Sequence, residues 1–293
     1  MSAEETVGNV RVYVGMGGWD LPPFDGRFYP AEQGKGFRKL RYYSRYFDMV
    51  EVNATFYSTS MNSRNARRWL DDVSENPDFV FAVKMYQGFT HTGEATKQDE
   101  TGFKRLVEPI ASDGKLEGIV MKFPSSFRNS EDRRKQLAGL ARRFSGYRSF
   151  VEVRHDSWNS PAARKFLEEC GFYVINTDLP RLPHHMPFLN RCRDGIAYYR
   201  MMGRNAADWY SGEGGDRYHY YYSPGELKEL IDRINEVRPV AEKVYVVFHN
   251  DPNAHSPVNG FQVRHILTNG KPQRIPGSLE RTFPVLKDIE KKK

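Results

Sequence analysis

Charged residues stand inside several runs of this sequence that otherwise read as β-strands. Glu51 lies in DMVEVNATFY, Lys84 in DFVFAVKM, Lys122 in LEGIVMKFP, Glu152 and Arg154 in YRSFVEVRH, and Arg200 in GIAYYRMMG. A strand turns successive side chains to opposite faces. Glu51, Asn53 and Thr55 therefore share one face against Val50, Val52 and Ala54, and Glu152 and Arg154 oppose Val151 and Val153. By the same alternation, Ala82 with Lys84 opposes Phe81, Val83 and Met85, and Val120 with Lys122 opposes Ile119, Met121 and Phe123. If the apolar face meets helices, the charged face points into the interior, where ionised groups must pair or bear a heavy desolvation cost. Glu51 and Glu152 are thus set against Lys84, Lys122 and Arg154.

This residue set fits metal-independent chemistry on an anion. Lys84, Arg154 and Arg200 can bind a carboxylate or phosphate and stabilise developing negative charge. Glu51 or Glu152 can act as general base once a neighbouring cation and partial burial tune it. His155, next in the chain after Arg154, can shuttle protons near neutral pH, or can instead serve only to hydrogen-bond Asp178 or a loop carbonyl. Asp178 and the run His249, Asn250, Asp251 close two further strands, with Asn53, His249 and Asn250 as added substrate contacts. Trp19, Tyr57 and Trp158 are candidates for pocket walls. A Schiff base on Lys84 ranks below simple anion binding.

A single divalent ion held by carboxylates and histidines drawn from Glu152, His155, Asp178 and His249 is the alternative. A dense zinc cluster is disfavoured, because the inward set is at least as rich in cations as in ligands and no HxH or HxxxH pair is present. No other cofactor is expected. No Walker loop, serine elbow, kinase set or dinucleotide fingerprint occurs, since GMGGWD is not GxGxxG.

The elements that must position these residues alternate along the chain. Strands are predicted at 11–18, 48–57, 78–85, 116–124, 147–155, 172–178, 195–203 and 243–251. Helices are predicted at 36–47, 62–75, 101–112 (interrupted near Pro109), 130–143, 160–171, 223–238 and 256–268, with 179–194 irregular. Eight strands, each followed by a helix or by a loop long enough to hold one, describe a parallel sheet closed into a (β/α)8 TIM barrel, in which chemistry sits at the C-terminal strand ends. A doubly wound sheet is the alternative. The barrel is expected to form one domain over 11–285, with polar extensions at 1–10 and 286–293.

Bulk properties bound the partners. At 293 residues, 39% hydrophobic and 28% charged, the chain reads as globular. The net charge of +7 permits an anionic small molecule or, as the alternative, nucleic acid, though only Arg133–Lys135 and Lys291–Lys293 are tight basic clusters. Two cysteines outside any CxxC pair, together with a polar acidic start lacking a signal-peptide core, point to a reducing, cytoplasmic setting. No apolar run approaches the roughly 18–20 residues that cross a bilayer.

Several motifs in order, VGMGGWDLPPFDGRFYP, VEVNATFYSTS, FVFAVKM, VEVRHDSW and VYVVFHND with downstream Asn259, resemble the DUF72, or YecE-like, family across roughly 12 to 268. The resemblance implies a TIM barrel, and it places the family's characteristic residues at Glu51, Asn53, Lys84, Arg154, His155, Asp178 and Asn250. The chain departs from the family pattern at three places. His249 stands where Asn is common, MKFP at 121–124 puts Lys122 where FQLP is common, and MMG follows Arg200 where many members carry a histidine and glycine. The expectation is therefore an enzyme of hydrolase or isomerase/lyase type acting on an anionic substrate. A nucleic-acid-binding or phosphodiester-processing protein, and a non-catalytic structural or regulatory barrel, are the alternatives.

Overall fold

The computed structural model describes residues 6–7, 10–210 and 215–290. Most of the N-terminal extension and the Lys291–Lys293 cluster lie outside the described residues. The barrel strands are β1 (Val10–Met16), β2 (Met49–Val52), β3 (Val80–Lys84), β4 (Leu116–Lys122), β5 (Ser149–Glu152), β7 (Ile196–Met201) and β8 (Lys243–Phe248). The sixth stave, β6, is split into Tyr173–Val174 and Asn176–Asp178. All these segments pair in parallel, and β8 lies between β7 and β1. The two halves of β6 close the ring, since Tyr173–Val174 pairs with β5 and Asn176–Asp178 with β7. At the break, the Ile175 N–H still donates to the Val151 carbonyl at 2.9 Å. This is the (β/α)8 barrel.

Residue parity decides which side chains fill it. Val50, Val52, Phe81, Val83, Ile119, Met121, Val151 and Val153 join the large core between sheet and helices. Tyr13, Met49, Val80, Ala82, Val120, Phe150, Tyr198, Tyr245 and Val247 form a second cluster within the barrel. At the N-terminal end of the barrel a register shift between β3 and β4 leaves Glu117 as the extra residue. Such a bulge re-aims a side chain. Glu117 accepts from Tyr245 Oη, Lys243 Nζ at 2.8 Å and Arg148 Nη1 at 3.0 Å, and no alternation pattern foretells this.

The surrounding helices are α1 (Lys39–Tyr43), α2 (Ser63–Asp72), α3 (Lys97–Ser112), α4 (Glu131–Arg143), α5 (Pro161–Glu169), α6 (Pro224–Val237), α7 (His255–Leu267) and α8 (Gly277–Thr282). Polar side chains start them: Asn62, Thr96, Ser130, Ser160 and Ser223 all accept from backbone N–H groups of the first turn. Two expectations need correction. Pro109 does not interrupt α3, because buried Phe103, Leu106, Val107 and Ile110 hold both sides of it to the sheet. The second strand ends at Val52 rather than 57, and a 3-10 turn, Ala54–Phe56, follows it. No helix follows β6, and residues 179–195 cover that sector without one. Beyond α7, α8 and a 3-10 turn at Pro284–Asp288 add elements that the sequence pattern does not reveal, and Leu286 of that turn is fully buried. Among the described residues no helix is long and apolar enough to cross a membrane.

The β1–β2 contact depends on a missing side chain. A Cβ on Gly15 would lie 2.1 Å from the Met49 carbonyl oxygen, far inside contact distance. Gly15→Ala must push β1 from β2 and is expected to cost about 1–3 kcal/mol of stability. Urea unfolding checks this, and an unchanged midpoint contradicts it.

Candidate active site

The C-terminal ends of the strands gather one ion network around Arg200, which is only 1% exposed. Its Nη2 donates to Glu51 Oε1 at 2.9 Å, its Nη1 donates to Glu152 Oε2, and its Nε donates to His249 Nε2 at 3.1 Å. Tyr198, two residues before Arg200 on the same inward face, donates its hydroxyl to Glu51 Oε2 at 2.9 Å. Glu152 also accepts from Arg154 Nε at 2.5 Å, so it bridges two guanidiniums. Charge-assisted bonds of this kind offset the desolvation that complete burial imposes.

The electrostatics follow from these partners. Burial opposes the charge on Glu51, but Arg200 overcomes it and holds the carboxyl at about 2. Burial likewise works against Glu152, and Arg154 with Arg200 holds it below the usual carboxylate range. Burial, then Arg200, lower the His249 imidazole to about 4. His249 is therefore neutral near pH 7, and its Nε2 lone pair accepts from Arg200. The 3.6 Å approach of that nitrogen to Glu51 is too long for a hydrogen bond. Gly17 makes room for this ring, since a Cβ there would lie 2.1 Å from His249 Nδ1.

Beside this paired half lies a second half without carboxylate partners. Lys84 Nζ donates to Asn53 Oδ1 at 2.7 Å and sits 4.2 Å from the centre of the Phe56 ring. Asn53 is fixed in turn by donating to the Gly17 carbonyl at 3.2 Å. Lys122 Nζ lies 3.0 Å from His91 Nε2 and 5.7 Å from the same Phe56 ring. Burial first, then Lys122, lower His91 to about 3, so the ring is neutral and Nε2 accepts from Lys122. Nδ1–H then faces the Thr90 hydroxyl at 2.9 Å. A π-helical turn, Gly88–Thr92, delivers His91, and such turns recur at functional sites. Burial, reinforced by Arg200, lowers Lys84 to about 7, and burial, reinforced by Arg154, lowers Lys122 to about 6. Arg154, 4% exposed, lies over the Trp209 ring at 5.5 Å, and its Nη2 is buried with no hydrogen-bond partner among the described residues.

Of the residues singled out from the sequence, Glu51, Asn53, Lys84, Lys122, Glu152, Arg154, Arg200 and His249 come together here. The others do not. Asp178 accepts from Arg204 Nε at 2.8 and 3.0 Å and from Tyr222 Oη at 2.8 Å, and burial raises its pKa in spite of Arg204. Asn250 donates to the Tyr220 carbonyl at 2.9 Å and to Asn259 Oδ1 at 2.8 Å. Trp158 is fully buried, stacks on Phe127 at 5.6 Å and donates its indole N–H to the Phe127 carbonyl. Trp19 packs edge-on against Trp69 at 5.6 Å, and Tyr57 is 67% exposed. His155 caps the 3-10 turn at Asp156–Asn159, its Nδ1 accepting from the Ser157 N–H at 3.1 Å.

The four residues weighed as metal ligands, Glu152, His155, Asp178 and His249, do not converge among the described residues. His155, Asp156 and His184 do bring ligand atoms within 4.8 Å of one another, but His155 Nδ1 is already engaged by Ser157. Sequence reasoning missed Phe56, His91, Tyr198 and Trp209. Tyr198 was within reach, because it shares strand parity with Arg200. The other three enter from turns and loops that carry no period.

Two measurements test these electrostatics. Arg200→Met strands two buried carboxylates and is expected to cost about 3–5 kcal/mol by urea unfolding at neutral pH. Glu51, held at about 2, contributes its full stability above its ordinary value near 4.5 and loses it as pH falls through about 2. The stability gap to wild type should therefore persist down to about pH 5 and close only in stronger acid. Lys122→Met removes a desolvated cation and should raise the thermal midpoint. Below about pH 6 Lys122 is charged in both folded and unfolded chains, and the folded one bears the full desolvation cost. Between about 6 and 10.5 the folded amine is neutral, and stability recovers as pH rises. The gain should thus be larger near pH 5 than near pH 9, and a pH-independent gain would contradict the assignment.

Comparison with known proteins accords with this barrel. The family model described as "Protein of unknown function DUF72" matches residues 13–281. The UPF0759 protein YunF of Bacillus subtilis (strain 168) is 28% identical over 273 residues, covering 87% of this chain and 94% of its own length. The crystal structure of a DUF72 family protein, TM1631 from Thermotoga maritima MSB8, superposes with a TM-score of 0.77 at 31% identity, over 87% of this chain and 98% of that one. A second, EF0366 from Enterococcus faecalis V583, superposes with a TM-score of 0.76 at 21% identity, over 90% of this chain and all of that one. The chain belongs to the DUF72 family of proteins of unknown function.

Proposed function

We propose that this barrel is an enzyme that binds a carboxylate- or phosphate-bearing small molecule at its C-terminal mouth and moves protons there without calling on a metal. The observation that carries this reading is the buried Nη2 of Arg154, which has no acceptor among the described residues. A buried guanidinium donor without an acceptor is costly, and an anionic oxygen on that nitrogen removes the cost. Charge balance points the same way. Glu51 and Glu152 are matched by Arg200 and Arg154, so each proton on Lys84 or Lys122 is surplus positive charge that an anion offsets.

Proton transfer falls to the lysines rather than to the carboxylates. Glu51 and Glu152 are poor bases while arginines hold them ionised. Lys84, at about 7, and Lys122, at about 6, are poised to give and take protons near neutrality. The closing of Glu51, Glu152 and Arg200 from solvent favours a second reading, a non-catalytic barrel whose polar plug is purely structural.

Calorimetric titration with inorganic phosphate, acetate and a sugar phosphate separates the two. Binding is expected to strengthen as pH falls from about 8 to 6, as the lysines take up protons. It should weaken about tenfold or more in Arg154→Met, a loss of about 1.4 kcal/mol or greater. That variant leaves Glu152 paired with Arg200, and a retained thermal midpoint checks its fold. No binding by the wild type, or equal binding by the variant, would sink the anion site.

A further inference from the structure

Lys122 has a place in this mouth that anion binding alone does not require. Its register partner on β5 is Glu152, yet that carboxylate is taken by Arg154 and Arg200, and Lys122 Nζ instead lies 3.0 Å from a neutral imidazole nitrogen. Lys84 shares the Phe56 ring with it, the two amines lying 4.2 and 5.7 Å from its centre. Lys84 is 6% exposed, whereas Lys122 keeps partial access to solvent. An amine made neutral by an apolar wall and neighbouring cations is a nucleophile toward carbonyl carbon. The groups facing it are Glu152, Lys84 and Arg200 from the strands, Arg154 two residues past the end of β5, and His91 from the π-helical turn.

We infer that Lys122 is a covalent catalytic residue that forms an imine with an aldehyde, ketone or 2-oxo acid whose anionic group is held by Arg154. The inference rests on the anion-site reading above and names its substrate class. The Nζ lone pair attacks the carbonyl carbon, and the carbonyl π pair moves to oxygen, which takes a proton from the Lys84 ammonium while the new secondary ammonium returns one to the Lys84 amine. The carbinolamine hydroxyl then takes that proton from Lys84 and leaves as water, while the nitrogen lone pair closes the C=N bond to give the protonated imine, whose remaining N–H proton returns to Lys84 in the neutral imine. Amine plus carbonyl gives imine plus water, with no change of oxidation state. Protonated, the imine is an electron sink that weakens bonds at the adjacent carbon.

Borohydride trapping tests this with the full-length protein. Glyoxylate, pyruvate and the uncharged control acetaldehyde are each incubated with the protein, sodium borohydride is added, and reduced adducts are located by peptide mass mapping. One adduct on Lys122 is expected. Because burial lowers Lys122 to about 6, labelling with the oxo acids should run on the order of a hundredfold faster than at surface lysines at neutral pH. That advantage should hold down to about pH 6. Lys122→Met should lose the adduct, and Lys84→Met should keep it at a reduced rate, with thermal midpoints reporting the fold of both. Arg154→Met should slow labelling by glyoxylate and pyruvate at least tenfold more than it slows acetaldehyde labelling, which falls only because loss of the Arg154 charge lets Lys122 move back toward its ordinary value. No fast adduct from any of the three probes, or an adduct that survives Lys122→Met, overturns the inference. Phosphate binding by calorimetry distinguishes the failures: binding without an adduct leaves the anion site standing, and an adduct without anion binding or Arg154 dependence removes the anion site and the substrate class with it.

Discussion

One guanidinium organises the mouth of this barrel. Arg200 is buried as deeply as any core aromatic, and it is tolerable there because Glu51, Glu152 and His249 each take one of its donors. The arrangement works only if β2, β5, β7 and β8 end at matched heights. A buried ion network therefore constrains strand register as well as charge. Removing any single member leaves the others desolvated and unmatched, whereas the apolar layers beneath can be repacked at lower cost.

This constraint divides the mouth into two chemistries. The carboxylates are consumed by arginines, so they are fixed anions rather than bases. The lysines next to them inherit the arginines' repulsion without the carboxylates' full attraction, and burial pushes both amines toward neutrality. The reactive groups of the site are thus the ones that the network leaves unpaired. Lys122 and His249 fall on opposite sides of the division. His249 serves the paired half by accepting from Arg200. Lys122 enlarges the unpaired half.

Much of the fold was legible in the chain. Period-two alternation set the inward and outward faces of β2 through β5 correctly, because one side of each strand had to meet helices and the other could not. Polar caps at Asn62, Ser160 and Ser223 marked helix starts for the local reason that the first-turn N–H groups need acceptors, whereas Thr96 caps α3 ahead of its expected start at residue 101. The early end of β2, the continuity of α3 through Pro109, the split in β6 and the inward turn of Glu117 were not legible. Each depends on a neighbouring element rather than on local propensity.

The site divides in the same way. Residue types and strand parity indicated from sequence alone that Glu51, Lys84, Lys122, Glu152 and Arg154 turn to the interior of one sheet, with Arg200 on a further strand of it, because side-chain direction in a strand is a local property. Only the tertiary structure decided who pairs with whom. It left Arg154 Nη2 without an acceptor, brought His91 to Lys122 from a π-helical turn, and sent Asp178, Asn250 and Trp158 to partners elsewhere. Those outcomes turn on distances between segments far apart in the chain, and no spacing along the sequence encodes such distances.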